Sequence, residues 1–134
     1  MADIAPDELT KVILLNSGAE AVEAAAKLAR VATRRIPLYH LEGSFHGKTF
    51  GALSLTDASL FREPFIPLFS NIKRLSRTGR EEAANAIRIG QPAGVILEPV
   101  QGEGGIFELS SDYPAASWPC RPASAGVRRL PARH

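Results

Sequence analysis

The residues Asn16-Ser17-Gly18-Ala19 stand where a short apolar run ends and an alanine-rich stretch begins. That order reads as a strand, a turn with one glycine, and a helix N-terminus. The first N–H groups of a helix have no partner inside it, and the helix dipole is positive at that end. A phosphate can be held by those donors, and a glycine lets the backbone come close to it. A capped helix with no ligand explains the same residues. Ser17 fits an N-cap, and Glu20 three positions on completes a capping box. Glu20 also sets a negative charge one turn from any bound anion. Local sequence alone favours the ligand-free reading, because capping boxes are common.

Two further stretches carry reactive or recognising side chains. Gly43-Ser44-Phe45-His46-Gly47-Lys48-Thr49 has the glycines, lysine and hydroxyl of a nucleotide-phosphate loop. Such a loop needs four residues between its glycines before Gly-Lys-Ser/Thr. Here three lie between Gly43 and Gly47, and a shortened loop wraps two phosphates poorly. An NTPase is therefore kept only as a minor alternative. Phe45 offers an aromatic face to a flat ligand, or is a core aromatic. His46 is a possible acid or base near neutral pH, or a structural histidine with no partner evident in the sequence. The third stretch, Glu98-Pro99-Val100-Gln101-Gly102-Glu103-Gly104-Gly105, begins where an apolar run ends. Ligands of open α/β sheets bind outside the carboxyl ends of strands, so Glu98, Gln101 and Glu103 are candidate site residues. The competing reading is a flexible loop with solvated carboxylates. The spacing of Glu98 and Glu103, with no histidine nearby, is not a metal signature.

The elements that position these stretches follow from period and punctuation. Lys11–Leu15 and Ala93–Leu97 are short apolar runs that suit buried strands, and 36–41 reads as a third. The helix after Ser17 runs through Arg34, with Glu20, Glu23, Lys27, Arg30 and Arg34 forming one charged stripe. Glu23 and Lys27 also make a favourable i,i+4 pair. A short helix is predicted over 47–56, a proline-punctuated loop over 59–72, and a helix over 80–89 stopped by Gly90. The resulting order, β-α-β-α-α-β, predicts an α/β sheet fold.

Composition bounds the function. The 134 residues suffice for one domain, and 45% hydrophobic with 22% charged residues is ordinary for a globular protein. No apolar run reaches the roughly 20 residues of a membrane span, and the first 20 residues lack a basic start followed by an apolar stretch, so no secretory signal is expected. The single cysteine, Cys120, excludes a disulfide within the chain and argues against a cysteine-based zinc site. A cytoplasmic location is expected. All 14 acidic residues lie at or before Asp112, so residues 1–113 carry a small negative charge and the 114–134 tail a positive one. The basic residues are not gathered on one face, so no nucleic-acid partner is expected. The tail holds four of the 10 prolines, lacks Asp, Glu and Lys, and shows no period. It is expected to be disordered or loosely attached.

Taken together, the stretches resemble the class III pyridoxal-phosphate-dependent aminotransferases. The resemblance rests on Asn-Ser-Gly-Ala-Glu-Ala-Val-Glu-Ala-Ala at 16–25 and Lys-Leu-Ala-Arg at 27–30. It continues with Phe-His-Gly-Lys-Thr at 45–49, Gly-Ala-Leu-Ser at 51–54, and Val-Ile-Leu-Glu-Pro-Val-Gln-Gly-Glu-Gly-Gly at 95–105. These runs come in the family's order and cover about residues 8–113. They look closest to the putrescine, ornithine and acetylornithine branch, and Phe-Arg-Glu-Pro-Phe-Ile-Pro-Leu at 61–68 leans toward the putrescine enzymes. The resemblance implies part of the large domain of fold type I, a three-layer α/β/α unit, with pyridoxal 5'-phosphate as cofactor. It implies that Ser17, Gly18 and Ala19 hold the cofactor phosphate, that Phe45 stacks on the pyridine ring, and that Glu98 supports the hydrogen bonds beside it. His46 takes a pocket position, and Glu103 matches a carboxylate that gates keto-acid entry. The implied substrates are an amine or amino acid and a 2-oxo acid, and the implied assembly is a homodimer.

The family's reaction also needs a lysine that forms the Schiff base and an acidic group that keeps the pyridine nitrogen protonated. The four lysines, Lys11, Lys27, Lys48 and Lys73, match none of the family's catalytic positions. The Asp-Glu-Val-Gln-Thr-Gly run that supplies the acid in the family is not in this sequence. The expectation is a chain of 1–113 from the cofactor-binding domain joined to a tail from a shifted reading frame or truncated gene, inactive alone. A non-catalytic fragment or phosphate-binding module is the alternative.

Overall fold

The computed structural model describes residues 11–110 and Tyr113. The 114–134 tail, including Cys120, lies outside the described residues. Helix α1 (Gly18–Thr33) starts where the sequence predicts, with Ser17 as N-cap and a complete capping box with Glu20. Strand β1 (Leu38–Leu41) follows. The short helix α2 (Phe50–Leu55) comes next. The segment predicted as a loop over 59–72 contains helix α3 (Ser59–Arg62) and a 3-10 turn (Glu63–Phe65). Strand β2 (Ile72–Leu75) was not expected. Helix α4 (Arg80–Gly90) ends one residue later than predicted, and its cap is Gln91, at φ 40°, rather than Gly90. Strand β3 (Gly94–Ile96) lies inside the predicted apolar run. Strands β4 (Val100–Gln101) and β5 (Phe107–Glu108) form a small antiparallel pair.

Strands β1, β2 and β3 form one parallel sheet in the order β2-β1-β3. Side chains alternate across a strand, and β1 shows the consequence. Tyr39 and Leu41 join Leu75, Ala83, Ile87, Leu109 and Tyr113 in a core on the α4 side. Leu38 joins Leu55 and Ala93 on the other side, packed with Val22, Ala26 and Ala29 of α1. The sheet is thus sandwiched between helices, an α/β/α arrangement. Tyr113 is buried, and its hydroxyl donates to the Ser76 carbonyl at 2.6 Å.

The strand expected at Lys11–Leu15 is not formed. No strand among the described residues pairs with it, and Ile13 and Leu14 are 69% and 73% exposed. An apolar run without a ladder partner has no means of satisfying its backbone as a strand. No helix among the described residues is long and apolar enough to cross a membrane.

Candidate functional site

Because the three strands are parallel, their carboxyl ends lie at one edge of the sheet, with β1 and β3 adjacent. The chain leaves β1 toward β2 on one side and returns to β3 on the other. That reversal is where open α/β sheets leave a crevice. The loops after β1 and β3 are joined directly there. The Phe45 N–H donates to Glu98 Oε2 at 2.9 Å, and Gln101 Nε2 donates to the Glu42 carbonyl at 2.9 Å. The glycine-rich turn of the β4–β5 pair packs on the same loop, since a Cβ on Gly104 would lie 2.5 Å from the Gly43 carbonyl oxygen.

The N-terminus of α1 reaches this edge as well. Gly47 sits at φ 125°, and a Cβ there would lie 2.6 Å from Ala19 Cβ. The first turn of α1 therefore rests against the loop that carries Phe45 and His46. Ser17 and Gly18 are exposed, and Ala19 is half-buried. The capping box uses part of this turn. Glu20 Oε2 accepts from the N–H groups of Asn16 and Ser17, at 2.9 and 3.2 Å, and Ser17 Oγ accepts from the Glu20 N–H at 3.3 Å. The N–H groups left facing outward are those of Gly18 and Ala19, which a helix cannot satisfy internally. A Cβ added at Gly18 would meet nothing within 4 Å, so the approach to them is open. Phe45 is half-buried, with Phe61 edge-on to it at 5.7 Å between centroids. Lys48 Nζ lies 4.4 Å above the Phe61 ring.

His46 is buried, and its Nε2 has no hydrogen-bond partner in the structure. Burial lowers its pKa to about 4, helped by the nearby His40 and opposed by a bond with the Ile96 backbone. The imidazole is therefore neutral at pH 7. His40 is lowered too, chiefly by burial. Its Nδ1 lies 3.1 Å from the Leu41 carbonyl oxygen and 3.0 Å from Ser44 Oγ. The Ser44 hydroxyl itself donates to the Leu55 carbonyl, which assigns the proton to His40 Nδ1. Burial raises the Glu98 carboxyl, the hydrogen bond from Phe45 partly offsets this, and Glu103 raises it further. Glu103 is exposed on the turn between β4 and β5.

The same loop tests the nucleotide-phosphate alternative. A phosphate cradle needs free backbone N–H groups. Here Gly43 donates to Asp57 Oδ2, Phe45 to Glu98 and His46 to Thr56 Oγ1. Ser44 donates to the Leu41 carbonyl. Two N–H groups at the start of α2, Gly51 and Ala52, donate to Glu23. With these donors occupied, the loop has little to offer a triphosphate.

The structure therefore brings Ala19, Phe45, His46 and Glu98 to one edge of the sheet, with Gly18 exposed beside Ala19 and Glu103 exposed on the β4–β5 turn. Sequence reasoning placed Glu23 in a charged stripe, paired with Lys27, and did not single out Thr56, Asp57 or Ser44. Several of their bonds span 10 to 29 residues of chain, which no local pattern marks.

Comparison with known proteins shows the family to which the chain belongs. Residues 1–117 match the family model described as aminotransferase class-III. An acetylornithine aminotransferase from Methanosarcina acetivorans is 49% identical over 98 residues, covering 73% of this chain and 25% of that protein. A LysW-aminoadipate semialdehyde/glutamate semialdehyde transaminase from Sulfurisphaera tokodaii is 45% identical over 108 residues, covering 81% of this chain and 27% of that protein. The crystal structure of an adenosylmethionine-8-amino-7-oxononanoate aminotransferase from Methanocaldococcus jannaschii is similar at a TM-score of 0.78 and 29% identity. It covers 87% of this chain and 30% of that one. This chain thus spans about a quarter of the length of the curated relatives it matches. It belongs to the class III aminotransferases.

Proposed function

We propose that this chain supplies the phosphate and ring contacts for pyridoxal 5'-phosphate in a transaminase. The donor class is an amine or amino acid such as putrescine, ornithine or acetylornithine, and the acceptor is a 2-oxo acid. The observation that carries the reading is the close approach of Gly47 to Ala19, which rests the first turn of α1 against the loop that carries Phe45. These residues fit the cofactor. The donors of Gly18 and Ala19 suit a phosphate, and the face of Phe45 suits a flat ring, with a gain of about 0.5–1.5 kcal/mol. When bound, the cofactor supplies the electron sink through which an amino group is moved.

The chain's own residues hold and orient. Glu98 fixes the backbone of Phe45, and Thr56 fixes that of His46. Neutral His46 presents an unpaired ring nitrogen without adding charge. Glu103, exposed on the β4–β5 turn, is the carboxylate that this reading gives control over entry of an anionic keto acid. None of Lys11, Lys27, Lys48 and Lys73 is assigned the covalent role, so this chain alone is expected to show no turnover. In this reading the unit is 1–113, the 114–134 tail is foreign to it, and the site is completed in a cytoplasmic homodimer.

Gly18→Asp tests the reading. A carboxylate in the first turn of a helix stabilises it, and the position has room for a side chain. The variant should melt no lower than the parent yet bind pyridoxal phosphate about tenfold more weakly, through charge repulsion at the phosphate. Unchanged binding would refute the phosphate assignment.

A further inference from the structure

Glu23 lies on α1 one turn beyond Ala19, and its Oε1 accepts three hydrogen bonds from a distant segment. The donors are Thr49 Oγ1 at 2.7 Å, the Gly51 N–H at 2.8 Å and the Ala52 N–H at 3.2 Å. Thr49 directly precedes α2, yet its side chain makes no cap bond to that helix. The cap is delivered from α1 instead. A helix of six residues is too short to persist by propensity, so α2 depends on this carboxylate and on its burial. A cap from position 49 itself would satisfy the same donors without touching α1. Here one side chain is both cap and tether. A Cβ on Gly51 would fall on the carboxylate, so glycine at that position leaves the room in which it seats.

We propose that Glu23 is a positioning residue for the cofactor, fixing the span between the Gly18 and Ala19 N–H groups and the ring of Phe45. The inference rests on the functional reading above. A phosphate and a ring joined in one ligand gain from both half-sites only when their separation matches that of the protein. A loop released from α1 still offers each half-site, but not both at the right distance. Burial raises the Glu23 carboxyl, but the bonds from Thr49, Gly51 and Ala52 and the charge of Lys27 outweigh it and hold the carboxyl below its ordinary value. The tether is therefore ionised at neutral pH.

The test uses the full 134-residue chain. Pyridoxal phosphate affinity is measured by calorimetry, and inorganic phosphate affinity by the amide shifts of Gly18 and Ala19. Glu23→Gln keeps the shape and removes the charge. It should weaken pyridoxal phosphate about tenfold, the scale of a charge-assisted bond, while leaving inorganic phosphate within about twofold. Equal losses for both ligands, or none for either, would overturn the positioning role. Should Glu23→Gln fail to fold, Thr49→Val removes one donor and keeps the side-chain shape. It should lower the ratio of the two affinities in the same direction, and an unchanged ratio overturns the proposal. A parent chain that binds neither ligand refutes the functional reading and the inference with it. A parent that binds pyridoxal phosphate as tightly as Glu23→Gln does refutes the inference alone.

Discussion

His46 is the residue whose environment most alters its chemistry. Its folded pKa is about 4, against an ordinary 6.5. Below pH 6.5 the unfolded chain takes up a proton that the folded chain refuses until about pH 4. The stability this group contributes is therefore fully present above 6.5 and drains away between 6.5 and 4. The loss is at most about 3 kcal/mol. Denaturant midpoints should fall across that window, and His46→Gln should flatten the fall. A residual slope from His40, shifted in the same direction by burial, should remain. Phe45→Ala, at the same scale, should weaken pyridoxal phosphate by about three- to tenfold, the value of one aromatic contact. Equilibrium titration of the parent and variant reads it directly. Residue types announced Phe45 and Glu98 as candidates, but nothing in the sequence joins them. The bond between them spans 53 positions, and a fold is needed to close it.

At the scale of elements, punctuation was informative, and of the two short apolar runs 93–97 formed a strand while 11–15 did not. Helix α1 was legible because its cap, its alanines and its charged stripe all point the same way. Helix α4 was legible from its period and from the stop expected at Gly90. Strand β2 was not, since Ile72-Lys73-Arg74-Leu75 puts two basic side chains in four positions. It pairs with β1 along its whole length all the same. Lys11–Leu15 looked more strand-like and is not one, because pairing depends on what lies beside a run and not on the run itself. The joint between α1 and the β1–α2 loop is tight enough to test. Gly47→Ala adds a methyl group onto Ala19 and holds a non-glycine residue at φ 125°. It should lower stability by about 1–3 kcal/mol, measured by chemical denaturation. A neutral outcome would mean that α1 can move away from the loop.

For the whole molecule, the described residues leave much apolar surface uncovered. Leu28, Val31 and Ile36 are exposed, as are Phe50, Leu60, Phe65, Ile66 and Phe69. Among the described residues, strands β2 and β3 each present one unpaired edge. Such edges and patches promote association, so light scattering on the purified chain should detect oligomers or aggregates at micromolar concentration. Leu28→Glu with Val31→Lys should reduce the signal. The α/β class could be read from the order of elements, the three layers were implied by the family resemblance, and the two cores on either side of β1 bear both out. The abrupt change in composition after Tyr113 has its own test. Another frame of the gene beyond that codon should encode an Asp-Glu-Val-Gln-Thr-Gly-like run, and its absence would remove the frameshift explanation.

The central place of β1 has a kinetic consequence. Its backbone is bonded to β2 on one side and β3 on the other, while among the described residues each of those strands is bonded on one side only. In deuterated buffer, the amides of Tyr39 to Leu41 should hold their protons longest and report the opening of the entire sheet. Those of β2 and β3 should exchange through smaller openings that leave β1 intact.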